Sequence, residues 1–520
     1  MNTFILGLIV IVYLLSLAYL GFLGYKKTSS ASDYLVGGRE MNPIVMALSY
    51  GATFISASAI VGFGGVAAAF GMGIQWLCFL NMFVGVVIAF LFFGLRTRRM
   101  GVKLNVSTFP QLLGRHFRSR TIQVFVAAVI FIGMPLYAAV VMKGGAVFIE
   151  EIFCIDFNIS LLIFTLVIAA YVIAGGMKGV MYTDALQAVI MFGCMLFLLF
   201  WLYQTLDMGF TEANRALSDM APLVPEKFKD LGHQGWTSMP IMGSPQWYTL
   251  VTSLILGVGI GCLAQPQLVV RFMTVKSSKQ LNRGVFIGCI FLIITVGTIY
   301  HAGALSNLYF LRTEGAVATE VVKDIDKIIP YFINKAMPQW FAAIFMLCIL
   351  SASMSTLSSQ FHTMGSAAGS DIYGTYKPRS RKNLTKIIRL GVLFAIVVSY
   401  IICYMLPNDI IARGTSIFMG ICASAFLPTY FCALYWKRTT KQAALASLWV
   451  GTLGSLFALA FLHEKEASAL GLCKLLFGRD VLIEAYPYYM IDPILFALPL
   501  SIITIVVVTL VSKRHRTRKR

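Results

Sequence analysis

The sequence predicts an all-α polytopic membrane protein with about thirteen transmembrane helices. Of its 520 residues, 58% are hydrophobic and only 12% are charged, a composition typical of chains that cross a bilayer many times. The hydrophobic residues form long uninterrupted runs, and almost every basic cluster lies directly beside one of them. Because the net charge of +20 is placed in this way, we expect a lipid bilayer as the partner and no nucleic acid.

Each apolar run is long enough to cross the hydrocarbon core as a helix. The first run has no basic region before it, so we interpret it as a retained span and not as a signal peptide. The ten cysteines lie mostly within runs, and we interpret them as small hydrophobic residues and not as disulfide partners. The runs cover residues 3–24, 44–70, 74–95, 121–149, 158–176, 180–203, 246–265, 284–309, 339–369, 387–406, 410–436, 442–462 and 490–512.

Basic residues predict the orientation of the chain. Most of the 42 lysines and arginines, Arg271 among them, lie in connections after odd-numbered runs or in the tail 513–520. Because basic loops stay in the cytoplasm, we expect a plasma-membrane protein with its N-terminus outside and its C-terminus inside. The external connection 310–338 contains a helix-like segment that we expect to lie across the outer face.

The ninth run carries a stripe of small polar residues. Ala352, Ser355, Thr356 and Ser359 are spaced i, i+3, i+4 and i+7, which places them on one helical face, and Ser358 lies on its flank. Neutral hydroxyl oxygens suit a hard cation such as sodium and release it readily. The alternative is that these residues only pack against or hydrogen-bond neighbouring helices.

Two runs are predicted to be interrupted helices. The second is rich in small residues over Ser49–Gly65, and the seventh carries Gly257, Gly259 and Gly261 before Gln265-Pro266. Interrupted helices at corresponding positions of two halves are typical of transporter binding sites. Runs two to six (44–203) and seven to eleven (246–436) form two five-helix halves. Because each half has an odd number of helices, the second half starts on the opposite side of the membrane, and we expect inverted repeats. The alternative is that the glycines are close-packing contacts.

Asp184 is the only carboxylate that we place within a run, and the only formal charge that we place near the hydroxyl stripe. An acid in the membrane usually faces a cavity or a partner. It could serve as a cation ligand, as a proton relay, or as an interfacial residue near Lys178.

Several stretches together resemble the sodium:solute symporters, closest to the sodium/pantothenate and sodium/proline branches. They are ATFISASAIVGFGG, YTDALQ, QPQLVVRFMTVKSSKQLNRG, HAGALSN, SMSTLSSQ with SDIY, and LYWKRTTKQAALAS. The resemblance implies a LeuT-type fold of two inverted five-helix repeats and alternating access driven by sodium. The extra parts are a first helix and loop (1–43), an external loop (204–245), two C-terminal helices (437–512) and a basic tail (513–520).

The resemblance also implies two sodium sites. The primary site combines carbonyls at the break of the second run with a carbonyl and hydroxyls of the ninth. Some members of the family bind a second sodium through an acid of the sixth run. The residues implied here are Ala52, Ile55, Ala352, Ser355 and Thr356 for the primary site, and Asp184, Ser355, Ser358 and Ser359 for the second.

The solute site departs from two branches of the family. Phe54 replaces the acid of proline transporters, and Ser58 replaces their aromatic residue. Sugar transporters have an acid and an amide where this chain has Ser58 and Ala59, so proline and galactose are both disfavoured. The candidate solute-binding residues are Thr53, Ser56, Ser58, Gln75, Tyr137 and Gln265. Lys143 is interpreted as reaching the interface or attracting an anion, and His301 as a packed, hydrogen-bonded residue.

We therefore expect a sodium-coupled symporter for a small polar solute, with an organic acid or carboxylate-bearing vitamin favoured and one or two sodium ions as the coupling ion. The alternatives are a sugar, amino acid or nucleobase symporter, or a membrane solute sensor of the same fold. We find no phosphate-binding loop, metal cluster or nucleophile elbow in the sequence and expect no enzyme. No obligate protein partner is evident.

Overall fold

The computed structural model describes residues 3–28, 31–377 and 381–518, and in these ranges the chain is helical with no β-strand. The predicted all-α class is confirmed. Shorter helices, among them Ala31–Val36, Phe109–His116, Phe210–Asp219 and Glu464–Leu470, connect the long ones. The longer helices, together with the short α8 that follows a break, are α1 (Thr3–Lys26), α2 (Pro43–Phe54), α3 (Phe63–Phe70), α4 (Met72–Lys103), α5 (Arg120–Phe153), α6 (Phe157–Leu206), α7 (Pro245–Ala264), α8 (Pro266–Arg271), α9 (Ser278–Thr313), α10 (Ile325–Ala336), α11 (Gln339–Tyr376), α12 (Arg381–Met405), α13 (Ile411–Tyr435), α14 (Lys441–Phe461) and α15 (Ile494–Arg518).

The predicted count of about thirteen membrane-crossing helices stays a prediction. Eleven helices of the described residues are long and apolar enough to cross, and the bent pair formed by residues 43–70 makes a twelfth span. The run 158–176 forms the first part of α6, which begins at Phe157. Gly176, at φ 57° and ψ 175°, then kinks α6. At 1.5 Å per residue the helical stretch before this kink is about 29 Å long, close to the thickness of the hydrocarbon core.

Both predicted interruptions are present. Helix α2 ends at Phe54, Ile55 is extended at φ −93° and ψ 110°, and the two halves of the span meet at a 55° bend. Helix α7 ends at Ala264, and Gln265 is extended at φ −67° and ψ 115° before Pro266 begins α8. These breaks leave main-chain carbonyls without partners inside their own helices.

The glycines of α7 do not cause its break. Gly257, Gly259 and Gly261 stay helical, and a Cβ at Gly261 would collide with the main-chain carbonyl of Met419 in α13. These glycines therefore include close-packing contacts, as the alternative interpretation held. The break comes from Pro266, because proline disfavours the helical conformation of the residue before it.

Helix α10, from the segment predicted to lie across the outer face, is packed into the protein along the buried side chains of Ile328, Ile329, Phe332 and Ile333. It is joined to the start of α13 by two reciprocal caps. The Asp326 carboxylate accepts hydrogen bonds from the amides of Ile410 (3.1 Å) and Ile411 (3.3 Å). The Asp409 carboxylate accepts one from the amide of Ile325, at 2.6 Å. Burial, together with the nearby Asp324, raises the pKa of Asp326 to about 7.

Candidate functional site

Hydroxyls of α11 meet the broken end of α2. Ser355 Oγ donates to the carbonyl oxygen of Ala52 at 2.8 Å, and Thr356 Oγ1 donates to that of Thr53 at 3.1 Å. Ser355 Oγ also lies 3.2 Å from the carbonyl oxygen of Ala352. The hydroxyls of α11 therefore donate hydrogen bonds to carbonyl oxygens at the end of α2, where the helix itself no longer supplies amide donors.

Of the residues predicted for the primary sodium site, Ser355 thus contacts the carbonyl oxygens of Ala52 and Ala352, and Thr356 contacts that of Thr53, which the sequence did not assign to this site. Ala52, Ala352, Ser355 and Thr356 are fully buried, and Ile55 is the residue at which α2 stops being helical. All the polar atoms here are neutral oxygens, a set that suits a hard cation.

Asp184 lies fully buried in α6, beside a charge that the sequence did not reveal. Its Oδ2 forms an ion pair with Nη2 of Arg271, at 2.7 Å. The same guanidinium donates to Ser359 Oγ (2.6 Å), to Thr53 Oγ1 and, through Nε, to Ser49 Oγ (3.1 Å). The Arg271 side chain therefore lies among residues predicted to bind the second sodium.

Arg271, counted among the basic residues of the connection after the seventh run, is completely buried at the end of α8. Two predictions about this region are wrong. Asp184 is not the only formal charge near the stripe, and it is not the only carboxylate in a span, because Asp371 is buried in α11. The alternative partner Lys178 pairs with Asp33, at 2.5 Å. One sequence signal could have identified Arg271: apolar residues flank it on both sides (VVRFM), so it does not lie at the end of a run.

The other residues of the predicted second site are arranged less directly. Ser358 and Ser359 both donate to the carbonyl of Ser355, at 3.0 and 2.9 Å. Ser359 Oγ also lies 3.1 Å from Thr53 Oγ1, which is 3.3 Å from Asp184 Oδ2. The other carboxylate oxygen of Asp184, Oδ1, is buried with no hydrogen-bond partner among the described residues.

A small cavity adjoins the break of α2. Of the predicted solute-binding residues, Ser56 and Tyr137 line it, and the sequence did not identify Asn81, Tyr300 and Thr415. Asn81 Oδ1 is buried without a hydrogen-bond partner in the described part of the chain. The full lining is Phe54, Ile55, Ser56, Ala59, Phe63, Asn81, Tyr137, Val258, Val296, Tyr300, Thr415 and Met419.

The remaining candidates lie outside this cavity. Thr53 faces Asp184 and Arg271, and Gln75 donates to the carbonyl of Gly297 at 3.0 Å. Ser58 and Gln265 are buried and do not line it. The cavity volume is about 20 Å³, room for roughly one water molecule, whereas solute pockets span several hundred Å³. This cavity is therefore too small to hold a solute in this conformation.

Two further candidates have structural partners. The Lys143 ammonium donates to the carbonyl oxygens of Leu406 (3.1 Å) and Pro407 after α12 and is buried, so it does not face the cavity. His301 Nε2 lies 2.6 Å from the Tyr203 hydroxyl, and its ring stacks on Phe210. His301 is therefore packed and hydrogen-bonded, as predicted.

The model of one family, the "Sodium:solute symporter family", matches residues 34–451. The chain is 29% identical to the high-affinity proline transporter PutP of Bacillus subtilis over 83% of this chain and 87% of the relative. It is 27% identical to the sodium/pantothenate symporter of Haemophilus influenzae, over 88% of this chain and 90% of the relative.

Solved structures share the fold. A substrate-bound, outward-open Na⁺-coupled sialic acid symporter aligns with a TM-score of 0.76 at 17% identity, over 98% of this chain and 97% of that one. The nucleobase-cation-symport-1 transporter Mhp1, in a closed conformation, aligns with a TM-score of 0.55 at 13% identity, over 94% of this chain and 96% of that one. The predicted LeuT-type fold is confirmed.

Proposed function

The chain belongs to the sodium:solute symporter family, and from this premise we propose that it carries a small organic acid or carboxylate-bearing vitamin into the cell together with sodium. Sodium-coupled symport of a small solute is the activity of its family. The proposal adds the class of solute, the residues that bind sodium, and inward transport across the plasma membrane.

The primary sodium site is proposed at Ala52, Ile55, Ala352, Ser355 and Thr356. The observation that carries this proposal is the hydrogen bond from Ser355 Oγ to the Ala52 carbonyl oxygen, 2.8 Å long, at the break of α2. It supports a site in which carbonyls and hydroxyls from two helices turn toward one ion. Because all of these ligands are neutral, the ion can be released on the far side of the membrane.

A carboxylate-bearing solute is supported by the polarity of the cavity. Its polar side chains, Ser56, Asn81, Tyr137, Tyr300 and Thr415, are neutral. The cavity also adjoins the start of the helical segment 58–70, through Ser56 and Ala59. The N-terminal end of a helix carries partial positive charge and favours an anionic group. Lys143 has no part in this proposal, because it faces main-chain carbonyls elsewhere.

A second sodium site is proposed at Asp184, Ser355, Ser358 and Ser359. It is supported by the unpartnered Asp184 Oδ1 and by the nearby Ser359 hydroxyl. Arg271 neutralises Asp184 in the present conformation, so this site requires the guanidinium to move.

Transport is proposed to proceed by alternating access between the inverted repeats 44–203 and 246–436. The cavity of about 20 Å³ supports a closed stage of this cycle, which must open to admit a solute. The N-terminus is proposed to lie outside and the C-terminus inside.

The experiment that tests the proposal is uptake into proteoliposomes containing the purified full-length chain. A panel of radiolabelled solutes would cover organic acids, pantothenate, proline, sugars and nucleobases, each with and without an inward sodium gradient. We expect sodium-dependent accumulation of an organic acid or of pantothenate. Accumulation of proline, a sugar or a nucleobase alone would reject the proposed solute class, and accumulation that a proton gradient drives without sodium would reject the coupling ion.

A further inference from the structure

The guanidinium of Arg271 lies where a second cation would have to bind. Its Nη2 is 2.7 Å from Asp184 Oδ2 and 2.6 Å from Ser359 Oγ, two of the oxygens proposed to hold the second sodium. A sodium ion here would bring a second positive charge to the carboxylate that the guanidinium already pairs with, and two like charges at this separation repel strongly in a buried site. Arg271 and a sodium ion therefore compete for Asp184.

We propose that Arg271 is an internal cation that exchanges with the second sodium at Asp184 in each transport cycle. When sodium binds, the guanidinium withdraws from the carboxylate; when sodium leaves, it returns and restores the ion pair. This inference rests on the proposed second sodium site. It assigns Arg271 the role of a positioning residue that determines when Asp184 is available to an ion.

The exchange solves an electrostatic problem of the carrier. An unpaired carboxylate is costly to bury in a membrane protein, and Asp184 is fully buried. A carrier that releases its sodium inside must still return through a closed conformation. With Arg271 paired to Asp184, this return occurs without an uncompensated buried charge.

The position of Arg271 in the chain suits such a movement. It is the last residue of α8, a helix of six residues that begins directly after the break at Gln265. Its Nη1 donates to the carbonyl oxygen of Gln267 within that helix, at 2.7 Å, and its Nη2 bonds to α2, α6 and α11. A shift of this short helix would withdraw the guanidinium from all three neighbours together.

Equilibrium binding of radioactive sodium to the purified full-length protein tests the proposal without any solute. We expect Arg271→Gln to bind sodium at Asp184 at least about tenfold more tightly than the wild type, because the competing charge is gone. Arg312→Gln is the matched control, since Arg312 also donates to a main-chain carbonyl, that of Leu206, but does not touch Asp184. An unchanged or weakened sodium affinity in a folded Arg271→Gln protein overturns the proposal.

Because Arg271→Gln leaves Asp184 buried without its partner, that variant could fail to fold. The double variant Asp184→Asn/Arg271→Gln carries neither charge and is compared with Asp184→Asn alone. We expect the double variant to bind sodium more tightly at the remaining oxygens, and equal affinities would overturn the proposal. If the wild type binds sodium but Arg271 has no influence on it, the inference fails and the proposed symport stands. If the wild type binds no sodium at all, both fail.

Discussion

Replacing Ser355 by alanine is the sharpest test of the proposed primary sodium site. The substitution removes a hydroxyl that lies 2.8 Å from the Ala52 carbonyl oxygen and 3.2 Å from that of Ala352. The main-chain carbonyls remain, so the site loses one neutral oxygen and keeps the rest. We expect Thr356→Ala, which removes the hydroxyl bonded to the Thr53 carbonyl, to act in the same direction.

The size of the effect follows from the contact that is lost. A hydrogen-bonding group that faces a charge contributes about 1.5–3 kcal/mol, and at about 1.4 kcal/mol per decade this is a rise of roughly tenfold to a hundredfold in the sodium concentration for half-maximal uptake. The assay is the sodium activation curve of solute uptake in proteoliposomes, with the amount of folded protein measured in parallel.

Ser353→Ala is the matched control for this prediction. Ser353 lies in the same helix and is equally buried, but its hydroxyl donates to the Ile349 carbonyl of its own helix at 2.8 Å. We expect this variant to keep the wild-type sodium dependence. If Ser355→Ala and Thr356→Ala are folded and match the control, the reasoning is refuted.

Three further predictions concern orientation, stoichiometry and pH. Cysteines placed at Asn2 and Ser512 should react with an impermeant reagent on intact cells only at Asn2; labelling of Ser512 alone would reverse the proposed topology. Wild-type uptake should rise sigmoidally with sodium and less steeply in Asp184→Asn, whereas a hyperbolic wild-type curve would mean a single sodium. Because burial raises the pKa of Asp326 from the ordinary aspartate value of 3.8 to about 7, protonation of this carboxyl favours the folded state, and this stabilisation is lost as pH rises from about 4 through 7. Asp326→Asn should therefore melt at a higher temperature than the wild type at pH 8, with the difference vanishing near pH 4; a difference independent of pH would contradict the assigned pKa.

The features that could be predicted from the sequence are local ones. Small residues over Ser49–Gly65 predicted a break that the structure places at Ile55, and Pro266 marked a second one. The spacing of Ser355 and Thr356 predicted one helical face, and both hydroxyls do point at the broken end of α2. Periodicity and turn chemistry act within a few residues of the chain, so a single sequence contains them.

The features that could not be predicted depend on tertiary contacts. Asp184 and Arg271 are far apart in sequence, and the arginine was assigned to a loop because basic residues usually flank spans. Asn81 lines the cavity beside the break of α2 only because α4 packs against that break. The kink of α6 at Gly176 could not be predicted either, because hydropathy does not detect a single residue at positive φ.

The two caps between α10 and α13 have a mechanical consequence. The Asp326 carboxylate accepts hydrogen bonds from the amides at the start of α13, and the Asp409 carboxylate accepts one from the amide at the start of α10. Separating the two helices would break the hydrogen bonds at both of their N-terminal ends. We therefore expect α10 and α13 to move together as one rigid unit. Helix α10 also packs closely on α3, because a Cβ at Gly65 would collide with the Ile325 carbonyl oxygen. We therefore expect a tilt of α13 to move α10 and, with it, the helical segment that follows Ile55.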